Sequence, residues 1–418
     1  MTAQPSTAAA HTSRHYEDLE RLRRQNPMYD AVIDEIDGRM IRIRDHWLAD
    51  FASCNYLGFD LDPEIIDAID PMVRRWGTHP SWSRLLGNPR PYVEIEERLT
   101  ELLGAPDTLV LPTISHIHST VIPLLAGQGT VLMDSQAHKT IYDGCSIARG
   151  RGATLVRFAA NDPWALEQKL RLTEPGTPRL VCMDGVNSMT GNVPDLSTFA
   201  RICREYGALL YVDDAHGFGV IGESPDAANP YGLSGNCVVR YLDESYDNMV
   251  LVGGFSKSYS SLLAFLALPT ELKNFLKVAA PTYLYSGPSP VASLATVLAG
   301  LDVNAKRGDG IRADLHRKTA SVLSTVSELG MYTPNTSGLP IVELPLARAE
   351  DIDEVGDFLF SRGIYVTLAA YPLVPRNQVG FRIQITAANT DEEIAHLCSV
   401  IRELDQRFDL AAALPEPA

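Results

Sequence analysis

Cysteine is scarce in this chain. There are six in 418 residues (Cys54, Cys145, Cys182, Cys203, Cys237 and Cys398), scattered and without a Cys-x-x-Cys pair. That argues against a disulfide framework or a zinc site, and unpaired thiols fit a reducing cytoplasm. Positive charge is also short: 36 Lys and Arg stand against 52 Asp and Glu, a net charge of −16. A nucleic-acid groove or an anionic membrane surface is therefore not an expected partner. No apolar run approaches the ~18 residues needed to span a bilayer. The opening MTAQPSTAAAHTS lacks the charged-then-apolar layout of a secretory leader, so a cytoplasmic globular protein is expected. Internal repeats and long low-complexity segments are missing too. What is present is 45% hydrophobic residues, enough for one large domain and a smaller one.

Between about residues 105 and 255, short Val- and Leu-rich runs alternate with helix-like segments. The runs are Thr108–Pro112, Thr130–Asp134, Thr154–Ala159, Arg179–Gly185, Ala208–Asp214 and Asn248–Gly254. Runs this short and apolar read as strands buried on both faces. Asp162 followed by Pro163 opens one intervening helix, and Leu196–Tyr206 stopping at Gly207 forms another. The alternation predicts a mainly parallel α/β sheet between helices. From about residue 300 the pattern changes. A long helix through Ala313–Leu329 is followed by a strand at Ile341–Pro345 and a helix at Glu350–Arg362. Strands at Ile364–Leu368 and Phe381–Thr386 come next, then a last helix opened by a capping box at Thr390–Glu393. The final DLAAALPEPA reads as a frayed tail. The expected division is an N-terminal segment (1–60), a large α/β domain (61–300) and a small C-terminal α+β domain (301–418).

Ligands of open parallel sheets lie beyond the carboxyl ends of the strands, which draws attention to His138, Asp213, Asp214, His216 and Lys257. Gly217-Phe-Gly-Val-Ile-Gly222 has the spacing of a dinucleotide fingerprint, but the two prolines that follow deny it the helix that fingerprint requires. The strand feeding it, Leu209-Leu-Tyr-Val-Asp-Asp-Ala-His216, carries more information. Asp213 and Asp214 point to opposite faces. A carboxylate at a buried strand end is costly unless a cation answers it. One strand–helix unit later comes Leu251-Val-Gly-Gly-Phe-Ser-Lys257-Ser-Tyr-Ser260. Its glycines would let backbone crowd a ligand. A lysine for a Schiff base and a carboxylate for a protonated ring nitrogen are the pair that pyridoxal phosphate requires.

Asp-x-x-His followed by Gly-x-x-Lys resembles the fold type I pyridoxal-phosphate enzymes, and within them the α-oxoamine synthase family. Further segments carry the resemblance in the same order over roughly residues 30–405: Asn55-Tyr-Leu-Gly58, Ser83-Arg-Leu85 with Glu94 and Glu96, Asp134–Gly144, Ser188-Met-Thr-Gly191 and Phe381–Ala387. The resemblance implies a homodimer with shared active sites that condenses an α-amino acid with an acyl thioester. The thioester would be carried by coenzyme A or an acyl carrier protein, and the condensation would proceed with loss of carbon dioxide. It implies that Lys257 carries the cofactor and then moves the substrate proton. Asp213 would partner the ring nitrogen, His216 would lie by the 3-hydroxyl, and His138 would stack on the ring and donate to the thioester carbonyl. Ser188 would lie near the cofactor hydroxyl, and Ile114, Ser115 and His116 at a helix start would hold the phosphate. Ser286 would reach the phosphate of the second subunit, and Asn55 and Arg382 would hold the amino acid. A planar guanidinium suits that carboxylate.

The departures lie around the phosphate. Thr113–His118 replaces a small-Gly-aromatic loop, and Gly254 replaces a threonine, for which Ser256 or Ser258 is the substitute. Asn389 and Tyr92 stand where histidines are expected. His116 and His118, two apart, do not share a helix face, so they are not read as a metal pair and no metal is expected. Two other readings stay open: transamination or decarboxylation on the same fold, and a non-catalytic partner subunit.

Overall fold

The computed structural model describes residues 17–412, and the opening MTAQPSTAAAHTS lies outside them. The chain forms two compact units. Among the described residues, one comprises Cys54–Ser188 and Asn192–His316; the other takes 17–53, Met189–Gly191 and 317–412. The boundary therefore falls inside a single 38-residue helix, Val291–Glu328, rather than at residue 300. The described part of the expected separate segment over 1–60 is also divided, residues 17–53 joining the C-terminal unit.

The larger unit is built on a seven-stranded sheet. In spatial order its strands are Asp107–Leu111, Ala264–Leu268, Met249–Gly254, Leu209–Asp213, Arg179–Asp184, Thr130–Asp134 and Thr154–Phe158. The six expected strands are there to within a residue and run parallel wherever they pair directly. The seventh, Ala264–Leu268, follows the lysine loop and is antiparallel to both neighbours. Burial follows position. Every residue of Met249–Gly254 and Ala264–Leu268 is buried, whereas Thr154–Phe158, at the edge, exposes Thr154 and Arg157. The core between sheet and helices joins Leu109, Val131, Tyr211, Val250 and Leu266 to Ile117 and Val121. The Asp162 carboxylate accepts the Ala165 N–H at 3.0 Å with Pro163 in the first turn, as its sequence predicts.

The smaller unit holds a three-stranded antiparallel sheet, Ile341–Pro345, Gly380–Gln384 and Thr367–Ala369. A second sheet pairs His46–Asp50 with Ile364–Tyr365 in parallel. The single strand expected over Ile364–Leu368 is thus two, one in each sheet. The helix Asp391–Phe408 opens on the capping box of Thr390 and Glu393. The tail is anchored further than expected: Asp409 takes a left-handed conformation and Leu410 is buried, while residues 413–418 lie outside the described part. Among the described residues no helix is long and apolar enough to cross a membrane.

Candidate active site

The sheet of the larger unit delivers its chemistry at the carboxyl ends of adjacent strands. Asp184 and Asp213 are direct neighbours across two parallel strands. They open onto a cavity of about 300 Å³ lined also by Ile114, Ser115, His138, Ser188, His216, Ser256 and Lys257. Eight of the residues singled out in the sequence therefore converge: Lys257, Asp213, His216, His138, Ser188, Ile114, Ser115 and Ser256. Asp214 faces away, fully buried, and accepts the Val238 N–H at 2.8 Å. Burial pushes its carboxyl up to about 8, the response of an acid in a structural role.

Two glycines precede the lysine for packing reasons. A β-carbon on Gly253 would lie 2.1 Å from the Phe265 ring, and one on Gly254 would lie 2.5 Å from Cδ1 of Ile114. They make room for protein, which corrects the expectation that they make room for a ligand. The same contact accounts for the missing threonine at 254, because Ile114 fills its place. Beneath the loop, Phe218, Phe255, Tyr259 and Phe265 pack ring on ring, with Phe218 stacked on Tyr259 at 5.2 Å. This is a rigid footing for a half-buried lysine. Of the two serines flanking Lys257, Ser256 is exposed to the cavity. Ser258 is fully buried and donates to the Phe218 carbonyl at 2.6 Å, so it is a tie rather than a ligand.

The glycine-spaced segment 217–222 is a set of turns with no helix behind it. Gly219 has φ +85°, and a β-carbon there would meet the Ser258 hydroxyl at 2.4 Å. That segment braces the lysine loop from below.

Helix Ile114–Ala126 begins beside the cavity with Thr113 as its cap. Ser115 lines the cavity, but the backbone N–H of His116 is donated to Thr113 Oγ1 at 3.3 Å, and His116 is not among the lining residues. The expectation that His116 supplies an N–H to a phosphate is corrected on that ground. His138 caps helix Lys139–Gly150 and donates its backbone N–H to Asp184 at 3.1 Å. Burial, reinforced by Asp213, pushes the Asp184 carboxyl well up, and that N–H opposes the shift.

Sequence reasoning missed two supporting residues. Tyr56, fully buried, places its hydroxyl 2.8 Å from Nδ1 of His216. Its neighbour Asn55, the residue singled out, instead donates to Asp60 at 2.9 Å and does not line the cavity. His118, set aside as half of a discounted metal pair, is fully buried with Nε2 3.4 Å from Asp213. Burial pulls it down to about 4, Asp213 opposing, so it is neutral.

Ser286 donates to the Gly287 carbonyl at 3.2 Å and does not line the cavity of its own chain. Arg382 belongs to the smaller unit, on strand Gly380–Gln384 between Glu343 and Thr367, with Nη1 3.7 Å from the Met189 sulfur. Asn389 is buried, accepts from the Thr386 N–H at 2.9 Å and donates to the Asp50 carbonyl at 3.2 Å. The Tyr92 hydroxyl accepts the Ser289 N–H at 2.6 Å. Both positions are structural clamps.

The cavity suits pyridoxal phosphate by its donor set. It offers one amine for an aldehyde, a buried carboxylate for a ring nitrogen, and a helix start with hydroxyls at Ser115 and Ser256 for a phosphate.

The model of the aminotransferase class I and II family matches residues 49–401. An 8-amino-7-oxononanoate synthase of Stutzerimonas stutzeri is 30% identical over 388 residues, covering 92% of this chain and 93% of its own. A serine palmitoyltransferase of Bacteriovorax stolpii is 27% identical, covering 93% and 90%. Among solved structures, the serine palmitoyltransferase of S. paucimobilis with a bound PLP–myriocin aldimine superposes with TM-score 0.86 at 22% identity, over 94% of this chain and 98% of that one. With a family match across most of its length and a cavity whose donors suit the cofactor, this chain belongs to the α-oxoamine synthases, the pyridoxal-phosphate-dependent acyltransferases of fold type I.

Proposed function

We propose that this chain joins an α-amino acid to an acyl thioester at the Lys257 cavity and releases carbon dioxide, giving an α-aminoketone. The convergence of Lys257, Asp213, His216 and His138 on one cavity carries the reading. Pyridoxal phosphate, when bound, supplies the electron sink that spreads carbanion charge. The protein supplies the rest. Lys257 holds the cofactor and then, released by the amino acid, takes the proton from its α-carbon. A fixed loop holds the lysine in place for that transfer. Asp213 presents its carboxyl group at the place suited to a protonated ring nitrogen, and its Oδ1 accepts the Ala215 N–H at 3.0 Å. His216, held by the Tyr56 hydroxyl, would lie by the hydroxyl of a bound cofactor. His138, at the exposed rim, donates to the thioester carbonyl, where negative charge builds during acyl attack.

Ser115, Ser256 and the helix start at Ile114 hold the phosphate. A planar guanidinium such as that of Arg382 is the group suited to the amino-acid carboxylate. Ser286 completes the phosphate site of a second subunit in a homodimer, and the enzyme works in the cytoplasm. The carrier of the acyl group is coenzyme A or a carrier protein.

The test is a product assay on the cofactor-loaded protein with glycine, alanine or serine and a pool of acyl thioesters. Release of carbon dioxide and free thiol that requires both substrates supports the reading. Formation of a keto acid from amino acid alone would replace condensation with transamination. No turnover of any amino acid by a protein that never binds the cofactor would leave a non-catalytic subunit.

A further inference from the structure

Among the described residues, Arg312 is the bulkiest side chain fully withdrawn from solvent, with 1% of it exposed. It sits on the helix Val291–Glu328, in the part that belongs to the larger unit. Its Nη1 donates to the Asn304 side-chain oxygen at 2.7 Å and to the Gly219 carbonyl at 3.2 Å, and its Nη2 donates to the Asp309 carboxylate. That carboxylate is half exposed, so the buried cation has no dry counter-charge among these partners. A methionine would fill the same space without the desolvation. What it could not do is hold a backbone carbonyl in place. We propose that Arg312 is a positioning residue for Lys257, acting through the Gly219 carbonyl and the adjacent Phe218 on the residues that follow the lysine. The proposal rests on the pyridoxal-phosphate reading of this cavity, in which Lys257 must meet an aldehyde.

Gly219 ends the segment that starts at Asp213 and carries His216. The Phe218 carbonyl, one residue before, accepts the Ser258 hydroxyl at 2.6 Å, and the Phe218 ring stacks on Tyr259. Ser258 and Tyr259 directly follow Lys257. The grip on Gly219 is two-sided. Its N–H donates to the Gly235 carbonyl at 2.8 Å, while Asn304 and Asp309, the partners of the guanidinium, hold the Ser234 carbonyl and N–H at 2.9 and 2.8 Å. Room is kept for the fork: a β-carbon on Gly235 would lie 2.5 Å from Nη1, and one on Gly308 would lie 2.9 Å from Nη2. The same helix meets the lysine loop a second time, where the Ser293 carbonyl accepts the Ser261 hydroxyl at 2.8 Å.

Neither segment is a helix or a strand that could fix itself. Gly219 has φ +85° and Ser260 has φ +54°, so both turns contain left-handed backbone. A planar guanidinium bonded to oxygens of Asn304, Gly219 and Asp309 is a pre-organised strut between the helix and those turns. A reacting amine misplaced by about 1 Å can lose on the order of 100-fold in rate. Support from the helix therefore bears on the rate at Lys257 as well as on stability, and the two are separable.

Three variants and a control separate positioning from packing. Arg312→Met removes the fork. Asn304→Ala keeps the arginine and takes away its neutral side-chain acceptor, a milder step that is read in the same way should Arg312→Met fail to fold. Ser258→Ala cuts the link at the lysine end. Glu96→Ala, destabilised at its pair with Arg84, is the control. Two quantities are read: the rate at which saturating pyridoxal phosphate forms its imine, by visible absorbance, and backbone hydrogen exchange of residues 217–222 and 255–261 in the cofactor-free chain, by mass spectrometry. Arg312→Met is expected to slow imine formation about 10- to 100-fold. It is expected to speed exchange in both segments about 10-fold or more, the loss of one hydrogen bond from a charged group. Ser258→Ala is expected to be slow as well, and the double variant Arg312→Met with Ser258→Ala no slower than the slower single one, because both cut one path. A wild-type imine rate or wild-type exchange over 255–261 in Arg312→Met overturns the proposal. So do additive effects in the double variant, or equal changes in Glu96→Ala. A wild-type chain that forms no imine overturns the reading of the cavity instead, and exchange over 255–261 in Arg312→Met against Glu96→Ala still decides the brace.

Discussion

Glu343 offers a quantitative test because its position imposes a cost that depends on pH. It lies on strand Ile341–Pro345 directly opposite Arg382, which has Thr367 on its other side. Cross-strand partners share a face of the sheet. Glu343 is 4% exposed, and burial pushes its carboxyl up to about 7 from an ordinary 4.5, the Arg382 guanidinium opposing. A raised carboxyl favours the fold fully below about 4.5, and that contribution is lost as pH rises through about 7. At 1.36 kcal/mol per pH unit, the gap corresponds to about 3 kcal/mol of stability missing at pH 8.

Glu343→Gln removes the ionisation and keeps the shape. It also removes the attraction between Glu343 and Arg382 at high pH, so the expected gain is about 2–3 kcal/mol at pH 8 and near zero at pH 4.5. Urea unfolding at the two pH values, with an unchanged slope, reads the difference directly. A variant that is equally stabilising at both pH values, or less stable than the parent at pH 8, would refute the reasoning.

Other perturbations have equally definite outcomes. Glu96 accepts from Arg84 at 2.8 Å and from the Val110 N–H at 3.0 Å in a nearly dry site. Glu96→Ala is expected to cost about 3–5 kcal/mol in chemical unfolding, whereas Arg84→Met with Glu96→Leu should recover most of it, because the pair's own desolvation is then spared. Gly254→Thr, which reinstates the residue usual in the family, is expected to destabilise by about 1–3 kcal/mol through overpacking against Ile114. Adding Ile114→Ala should relieve it, and a stable Gly254→Thr single variant by thermal melting would contradict the packing account.

Much of the fold was legible because its strands are short runs of Val and Leu set between good helix caps. The seventh strand was not, since Leu-Leu-Ala-Phe-Leu-Ala-Leu suits a helix as well as a strand and its antiparallel pairing with Leu251–Gly254 and with Asp107–Leu111 decides. The grouping of the N-terminal residues with the C-terminal ones was likewise hidden. It rests on pairing between Ala49–Asp50 and Ile364–Tyr365, some three hundred positions apart. In the site, residues bearing the chemistry sit at strand exits and were readable there. Those that position them were not. Tyr56 is adjacent to the more conspicuous Asn55, and His118 lies among the apolar residues of a buried helix. The signal that would have found His118 is its own burial: it follows Ile117 and precedes Val121 on a core-facing stripe, where a neutral histidine needs partners on both nitrogens.

The central claim is that Lys257 holds the cofactor, and the most direct measurement is chemical. The protein is loaded with pyridoxal phosphate, the imine is reduced with borohydride, and the digested chain is mapped by mass spectrometry. The account predicts one added pyridoxyl group, on the peptide Phe255-Ser-Lys257-Ser-Tyr259, and its absence in Lys257→Ala. Labelling spread over exposed lysines such as Lys139 and Lys306, with Lys257 unmodified, would contradict it.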